Sequence, residues 1–270
     1  MTPSEIIEGV SEKLREPVSE YRDIFALMKR EFSTSNISNV SSRVLEIINS
    51  CRDSVPLDTQ FTDVKLPNKE LIIFSEKVNI TDRGLYGLLS IHEDRKILIV
   101  GITLDDSNRI RFNAGFSFPI DTSLQAYIDF LTEDLYLKDN PTNHQISGYE
   151  KTKKEVIEIC KFYLCLLSWR EQKLINSIET PIERHVRKRI KSHRMYYEVI
   201  IRPLEPRDKQ FQYEESPYTC RWIVSGHFRR QFYPSTNSHK LIFISPYIKG
   251  PDDAPMKEKS LASIRIERGV

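Results

Sequence analysis

The residues best suited to chemistry in this chain lie between Trp222 and Pro251. In an extended strand alternate side chains share a face, so His227, Arg229, Gln231 and Tyr233 are expected on one side. That face would carry an imidazole, a guanidinium, an amide and a phenol. Such a set can donate hydrogen bonds to phosphates, stack on bases or carry a proton. The pattern therefore indicates a surface that contacts RNA or another anionic partner.

RNA cleavage through the 2′-hydroxyl needs a general base, a general acid and a cation near the phosphorane, and it needs no metal. The candidate catalytic residues are His227, Arg229, Tyr233 and His239. The alternative is that the histidine and the tyrosine only order a hairpin while the arginines face solvent. Catalysis, and binding without catalysis, both remain open at this point.

The segment at 182–194 is basic, and a helix with cationic side chains at helical spacing is predicted within it at 184–194. Phosphate contacts from such a helix would position a nucleic acid without reading its sequence. A solvated face held by ion pairs is the alternative. The candidate nucleic-acid-binding residues in this segment and in the strands after it are Arg184, Arg187, Lys188, Lys191, Arg194, Arg230, Gln231, Lys240 and Lys249.

Charge is distributed unevenly along the 270 residues. Residues 181–270 carry a net charge of +8, whereas the remainder carries −6. An acidic N-terminal part joined to a basic C-terminal part is typical of proteins whose basic part binds a polyanion. A basic face without a ligand would give the same numbers.

Hydrophobic periodicity predicts an α+β fold. Its parts are N-terminal helices, an antiparallel β-meander, a central buried helix and a basic, β-rich C-terminal unit. We expect two domains, a helical and β-meander recognition domain at 1–180 and a basic domain at 181–270. Helices are predicted at 3–32, 40–52, 122–136 and 150–178, and strands at 71–78, 84–93, 96–104, 110–118, 195–204, 218–234, 240–250 and 260–268.

Several classes of protein are disfavoured. The four cysteines, Cys51, Cys160, Cys165 and Cys220, form no CxxC pair, so no metal site is expected. No phosphate-binding loop, dinucleotide fingerprint or hydrolase motif is present, and no cofactor is expected. No apolar run reaches the ~18 residues of a membrane span, and the N-terminus lacks a signal-peptide pattern. The expected location is the cytoplasm of a bacterial host.

The C-terminal block resembles the second type V-A anti-CRISPR family of phages and plasmids. The likeness rests on the Gly226-His227-aromatic core, here GHFRRQFYPS, and on the order of elements through most of the chain. It also includes the strand from Lys240 to Phe243, Pro246, the meander from LIIFSEKV to FSFPI and the aromatic-rich helix around 164–169. The resemblance implies recognition of a nascent polypeptide, for that family the N-terminal segment of the type V-A effector nuclease, and loss of its mRNA.

Three functions compete at this stage. The first is an anti-CRISPR-like regulator that binds a polypeptide, through the sheet face at 71–118 or its edge, and brings the C-terminal part to mRNA or the ribosome. The second is a metal-independent ribonuclease toxin or effector. The third is a nucleic-acid or protein-binding module without catalysis. The expected partners are a polypeptide target and RNA or ribosome, and no membrane.

Overall fold

The computed structural model describes residues 2–15, 22–32, 35–79, 84–136, 143–179, 196–201, 219–251 and 254–256. Its helices are α1 (Pro3–Lys13), α2 (Arg22–Phe32), α3 (Ser42–Cys51), α4 (Leu124–Tyr136) and α5 (Asn143–Glu171). Its strands are β1 (Asn36–Val40), β2 (Lys69–Val78), β3 (Leu85–Glu93), β4 (Lys96–Leu104), β5 (Ile110–Pro119), β6 (Ile175–Glu179), β7 (Tyr196–Ile201), β8 (Trp222–Val224), β9 (His227–Tyr233), β10 (Ser238–Ile244) and β11 (Tyr247–Lys249). Single 3-10 turns occupy Arg52–Ser54 and Phe61–Asp63. The predicted α+β class is confirmed.

Seven strands form one mixed sheet in the order β5-β4-β3-β2-β1-β7-β6. The predicted antiparallel meander is confirmed, since β2, β3, β4 and β5 pair in sequence with antiparallel register. The strand β1 is parallel to both of its neighbours, β2 and β7. The polar run at 33–39 does not predict a strand. The parallel pairing at the centre of the sheet was therefore not expected from the sequence.

Both faces of the large sheet are covered. The helices α1 and α2 pack on one face, around Ile6, Val10 and Met28. The helices α3, α4 and α5 pack on the other, around Leu45 and Phe162. This explains why the middle of β2 reads as an uninterrupted apolar run instead of alternating. Helices therefore cover both sides of the sheet at 71–118, and of the two places predicted to accept a peptide the free edge of this sheet stays a prediction.

The central buried helix is confirmed, with a shifted boundary. Five consecutive side chains of α5, residues 162–166, are fully buried. The helix ends at Glu171, and Lys173 has a positive φ of 58°, which terminates it. Residues 175–178, predicted as helix, instead belong to the edge strand β6. No helix in the described part of the chain is long and apolar enough to cross a membrane.

The C-terminal strands share the core of the N-terminal elements. The strand β7 lies between β1 and β6 in the large sheet, although the boundary proposed from sequence assigns it to the second domain. The β9–β10 hairpin inserts Phe228 and Leu241 into the core against α5. Its backbone is fixed by Phe228 N–H, which donates to Ser54 Oγ at 2.8 Å, and by Ser168 Oγ, which donates to the Leu241 carbonyl at 2.5 Å. The predicted strand at 260–268 lies outside the described residues.

Candidate functional site

The outward face of the β9–β10 hairpin carries the polar set that the alternation predicts. Directly opposed residues of antiparallel strands share a face, and the register pairs His227 with Ile244, Arg229 with Ile242, Gln231 with Lys240 and Tyr233 with Ser238. Arg229 is exposed, and the other polar side chains of this face are half-buried. No described residue forms a hydrogen bond or ion pair with the Arg229 guanidinium. We call this surface the hairpin face.

His227 sits at the start of β9 with a defined ring orientation. Its Nδ1 lies 3.0 Å from the carbonyl oxygen of Ser225, which can only accept a hydrogen bond. The proton of the neutral ring is therefore on Nδ1, and Nε2 is the nitrogen left to meet a ligand. His227 is half-buried, so the ring can take part in a surface contact.

The four candidate catalytic residues do not converge on one point. His227 and Tyr233 are six positions apart on one extended strand, which separates them by roughly 20 Å at about 3.4 Å per residue. His239 lies on the opposite face, where its ring centroid is 5.1 Å from that of Phe232. A general acid and a general base must both reach one phosphodiester within hydrogen-bond distance. In this arrangement only His227 and Arg229 are neighbours on the same face.

Arg230, which is predicted as a nucleic-acid contact, forms ion pairs within the protein. It points inward, where Nε lies 2.7 Å from Asp63 Oδ2 and Nη2 lies 3.4 Å from Asp63 Oδ1. Asp58 adds a longer contact of 3.4 Å to Nη1. Burial acts to lower the pKa of Arg230, but the hydrogen bond and charge of Asp63 outweigh it and raise that pKa. The arginine therefore ties the hairpin to the turn at Phe61–Asp63.

Three other predicted nucleic-acid contacts have partners within the protein. The Nζ of Lys240 lies 3.0 Å from Glu171 Oε1, and the hydrogen bond to this carboxylate raises the pKa of the lysine. The Nζ of Lys249 lies 5.8 Å from the centroid of the Trp222 ring. Gln231 donates to the carbonyl of Phe232 at 2.9 Å. The exposed Lys240 pair is one that a phosphate can displace at little cost.

The basic segment predicted as a helix lies outside the described residues. This applies to five candidate contacts, Arg184, Arg187, Lys188, Lys191 and Arg194. Among the residues that the structure describes, no group of three or more histidine, cysteine or acidic side chains has the geometry of a metal site.

An exposed apolar surface lies beside the hairpin and was not singled out from the sequence. The strands β8 and β11 form a separate two-stranded sheet, in which Ile223 and Ile248 are directly opposed. Their exposed fractions are 56% and 45%, and Met256, bridged to Arg221 on the same side, is also exposed. We call Ile223, Ile248 and Met256 the apolar patch. This sheet has only two strands of three residues each. Because so small a sheet can bury only one of its faces, the aliphatic side chains on its other face are exposed to solvent.

No protein-family model matches the chain, and no curated protein matches it. Among solved structures, the chain is similar to the one in the crystal structure of AcrVA2, an anti-CRISPR protein. The match covers 91% of this chain and 86% of that one, with a TM-score of 0.41 and 12% sequence identity. This is a distant structural similarity to an anti-CRISPR protein.

Proposed function

We propose that this chain acts by binding, as an anti-CRISPR-like regulator that recognises a polypeptide through the apolar patch. The observation that carries the proposal is the exposure of the opposed pair Ile223 and Ile248. The hairpin face beside the patch contacts RNA or the ribosome, and loss of the recognised message follows from bringing the two together.

The chemistry of the patch favours a polypeptide over a nucleic acid as its partner. Contiguous exposed aliphatic side chains are typical of protein-interaction sites. Aliphatic side chains cannot bury much apolar surface against a phosphate-rich nucleic acid. The core of a protein interface, in contrast, is apolar and excludes water. Burying one isoleucine fully contributes about 1.5–3 kcal/mol, so two opposed isoleucines can anchor a segment of polypeptide.

The hairpin face supports RNA contact as the second part of the proposal. Arg229 offers an exposed guanidinium, Lys240 lies on the same face, and Tyr233 offers a ring on which a base can stack. Most protein–nucleic acid hydrogen bonds go to phosphate and sugar, and two cations with flanking donors suit that role. The ribonuclease alternative has less support, because His227 and Tyr233 lie roughly 20 Å apart on one extended strand.

The target is suggested by the sequence resemblance around Gly226 and His227. It implies a nascent polypeptide, with the N-terminal segment of a type V-A effector nuclease as the first candidate. A related regulator with a different target polypeptide would use the same two surfaces. The cytoplasm of a bacterial host is the compartment in which nascent chains and mRNA meet.

The test uses two reporters that carry that N-terminal segment, one translated and one frame-shifted after the start codon. We expect the wild-type chain to lower the message of the translated reporter and to leave the frame-shifted message unchanged. The double substitution Ile223→Asp with Ile248→Asp should abolish the effect. Phe130→Asp, at an apolar side chain that is 60% exposed on α4, is the matched control and should retain it. Loss of the frame-shifted message, or full activity of the double variant, would refute the proposal.

A further inference from the structure

A mostly apolar cavity of about 430 Å³ lies between α3, the C-terminal end of α5, β7 and the β9–β10 hairpin. Its volume falls in the range of ligand-binding sites. None of the described residues that line it carries a charge, and a charge buried without a partner is costly, so the cavity selects an uncharged occupant. The apolar part of its wall consists of Ile47, Trp169, Leu174, Ile201, Phe243 and Pro246.

The cavity has a buried floor and an exposed rim. Trp169 and Cys51 at its floor are buried. Ser50, Ser225 and Pro246 line it from exposed positions. The remaining apolar side chains of the wall are half-buried, so apolar surface is left for an occupant to cover.

The mouth of the cavity lies where two pairs of strands meet. Residues 225–226 join β8 to β9, and residues 245–246 join β10 to β11. The register pairs the last residue of β8 with the first of β11, and the first residue of β9 with the last of β10. The two connectors therefore lie side by side, and all four of their residues line the cavity. The small β8–β11 sheet and the hairpin are thus consecutive parts of one ribbon, with the cavity at their junction.

Two aromatic rings contribute to the wall at this junction. The rings of Phe243 and Trp169 pack with their centroids 5.1 Å apart. Gly226 lies against the first of them, since a Cβ at this position would be 2.6 Å from Cζ of Phe243 and 3.1 Å from Cδ of Pro246. Aromatic rings in tilted or offset contact attract each other beyond the area that they bury. An aromatic occupant therefore suits this wall better than an aliphatic one.

The cavity lies next to the apolar patch. Ser225 at its rim is two positions from Ile223, and Pro246 is likewise two positions from Ile248. Along an extended strand the mouth therefore begins roughly 7 Å from the patch. Alternate side chains of an extended polypeptide share a face and are separated by the same distance. A polypeptide that covers the patch with one apolar side chain can thus place a second one in the cavity.

We propose that this cavity receives an aromatic side chain, such as phenylalanine, of the polypeptide that the apolar patch recognises. The inference rests on the proposed function and specifies the chemistry of its partner. The recognised segment carries an uncharged aromatic residue two positions from an aliphatic residue. The aliphatic side chain packs on the patch, and the aromatic ring enters the cavity.

The test uses a fluorescently labelled peptide with the sequence of the N-terminal segment of the type V-A effector nuclease. The full-length chain is titrated into it and anisotropy is recorded. We expect Ser50→Trp, which fills the mouth from the exposed rim, to weaken binding about thirtyfold, the loss typical of a central interface residue. Ser107→Trp, in the exposed turn between β4 and β5, is the matched control and should bind like the wild type.

A second cavity variant guards against an effect of Ser50→Trp on the fold. Ile201→Trp fills the cavity from β7 and should weaken binding by a similar factor. Thermal melts of both variants verify that each is folded at the temperature of the titration.

A double-mutant cycle identifies the side chain that enters the cavity. Each aromatic residue of the peptide is replaced in turn by alanine, and each peptide is titrated with the wild type and with Ser50→Trp. The residue that occupies the cavity should cost about thirtyfold with the wild type and almost nothing with the variant, whose cavity is already filled. Aromatic residues that bind elsewhere should cost the same factor with both proteins.

The outcomes separate this inference from the proposed function. A wild-type chain that does not bind the peptide would refute the function, and the inference with it. Binding that is abolished by the double substitution Ile223→Asp with Ile248→Asp but is unchanged in both cavity variants would keep the patch as the recognition site and overturn the inference. Additive losses at every aromatic position of the peptide would also overturn it and would leave the cavity to another occupant.

Discussion

The guanidinium of Arg230 donates from Nε to Oδ2 of Asp63 at 2.7 Å and joins the β9–β10 hairpin to the turn at Phe61–Asp63, which precedes β2. Asp63 is buried and also accepts from the backbone N–H of Gln60 at 2.8 Å. The pair thus links residues 167 positions apart and helps to hold the hairpin face at a fixed orientation.

Removing one partner of this pair should destabilise the protein. Arg230→Ala leaves the Asp63 carboxylate buried without its counter-charge, and we expect a loss of about 3 kcal/mol in the free energy of unfolding. Arg229→Ala, one position away on the exposed face, should change it by less than about 0.5 kcal/mol. Urea denaturation of both variants measures the difference. Equal stability of the two variants would show that the ion pair is not structural.

Arg229 should contribute to RNA affinity and not to stability. We expect Arg229→Ala to weaken binding of a single-stranded RNA and to reduce the slope of log affinity against log salt by about 0.7. Fluorescence anisotropy at several salt concentrations measures both. An unchanged slope would exclude a phosphate contact by this arginine.

The wild-type chain should not cleave labelled mRNA, because the candidate acid and base do not reach one phosphodiester. Gel analysis with and without EDTA checks this, with His227→Ala as the matched variant. Cleavage that persists in EDTA and disappears with His227→Ala would instead establish the metal-independent ribonuclease.

The thiols should differ sharply in reactivity. Burial raises the pKa of Cys51, Cys160 and Cys165, whereas Cys220 is half-buried. In the native protein at mildly alkaline pH we expect a thiol reagent to modify Cys220 alone, and all four cysteines after denaturation. Mass spectrometry of the labelled peptides identifies the sites. Rapid labelling of Cys160 in the native state would contradict the packing of α5.

Asp105 should make stability depend on pH in the acid range. Hydrogen bonds from the backbone of Arg109 and Ser107 and the charge of Arg109 hold its pKa below the ordinary value. A lowered folded-state pKa means that the stabilisation is complete above the unfolded pKa of about 3.9 and is lost as pH falls below it. Asp105→Asn should therefore flatten the acid side of the stability curve. Thermal melts from neutral pH to about pH 3 test this, and an unchanged acid slope would exclude the effect.

The predictable parts of the fold are those with a regular hydrophobic period. Apolar runs predict the meander strands and α5. The strand break predicted at Gly226 lies between the end of β8 and the start of β9. The strand β1 was not predicted because its sequence, NISNV, is short and polar and because its pairing with β2 and β7 is long-range. Strand alternation also predicts that Arg229 and Arg230 lie on opposite faces of the strand. The ion pair between Arg230 and Asp63 is a long-range contact that the sequence does not show.

The apolar patch, unlike the hairpin face, could not be derived from the sequence. Ile223 and Ile248 look like core residues of a strand, and their exposure follows from the small size of the sheet they form. Trp169 likewise reads as a core side chain. Its indole nitrogen has no acceptor among the described residues, and this follows from how α5 packs against β10 and α3.

Site-specific photo-crosslinking during translation tests the central claim most directly. A photoreactive phenylalanine analogue replaces Ile248 in one sample and Phe130 in the other, and each protein is added to a translation extract programmed with the target message. We expect the probe at Ile248 to crosslink to the nascent polypeptide, and the probe at Phe130 to give no such product. A crosslink from Ile248 to RNA alone, or no crosslink to the nascent chain, would contradict polypeptide recognition by the apolar patch.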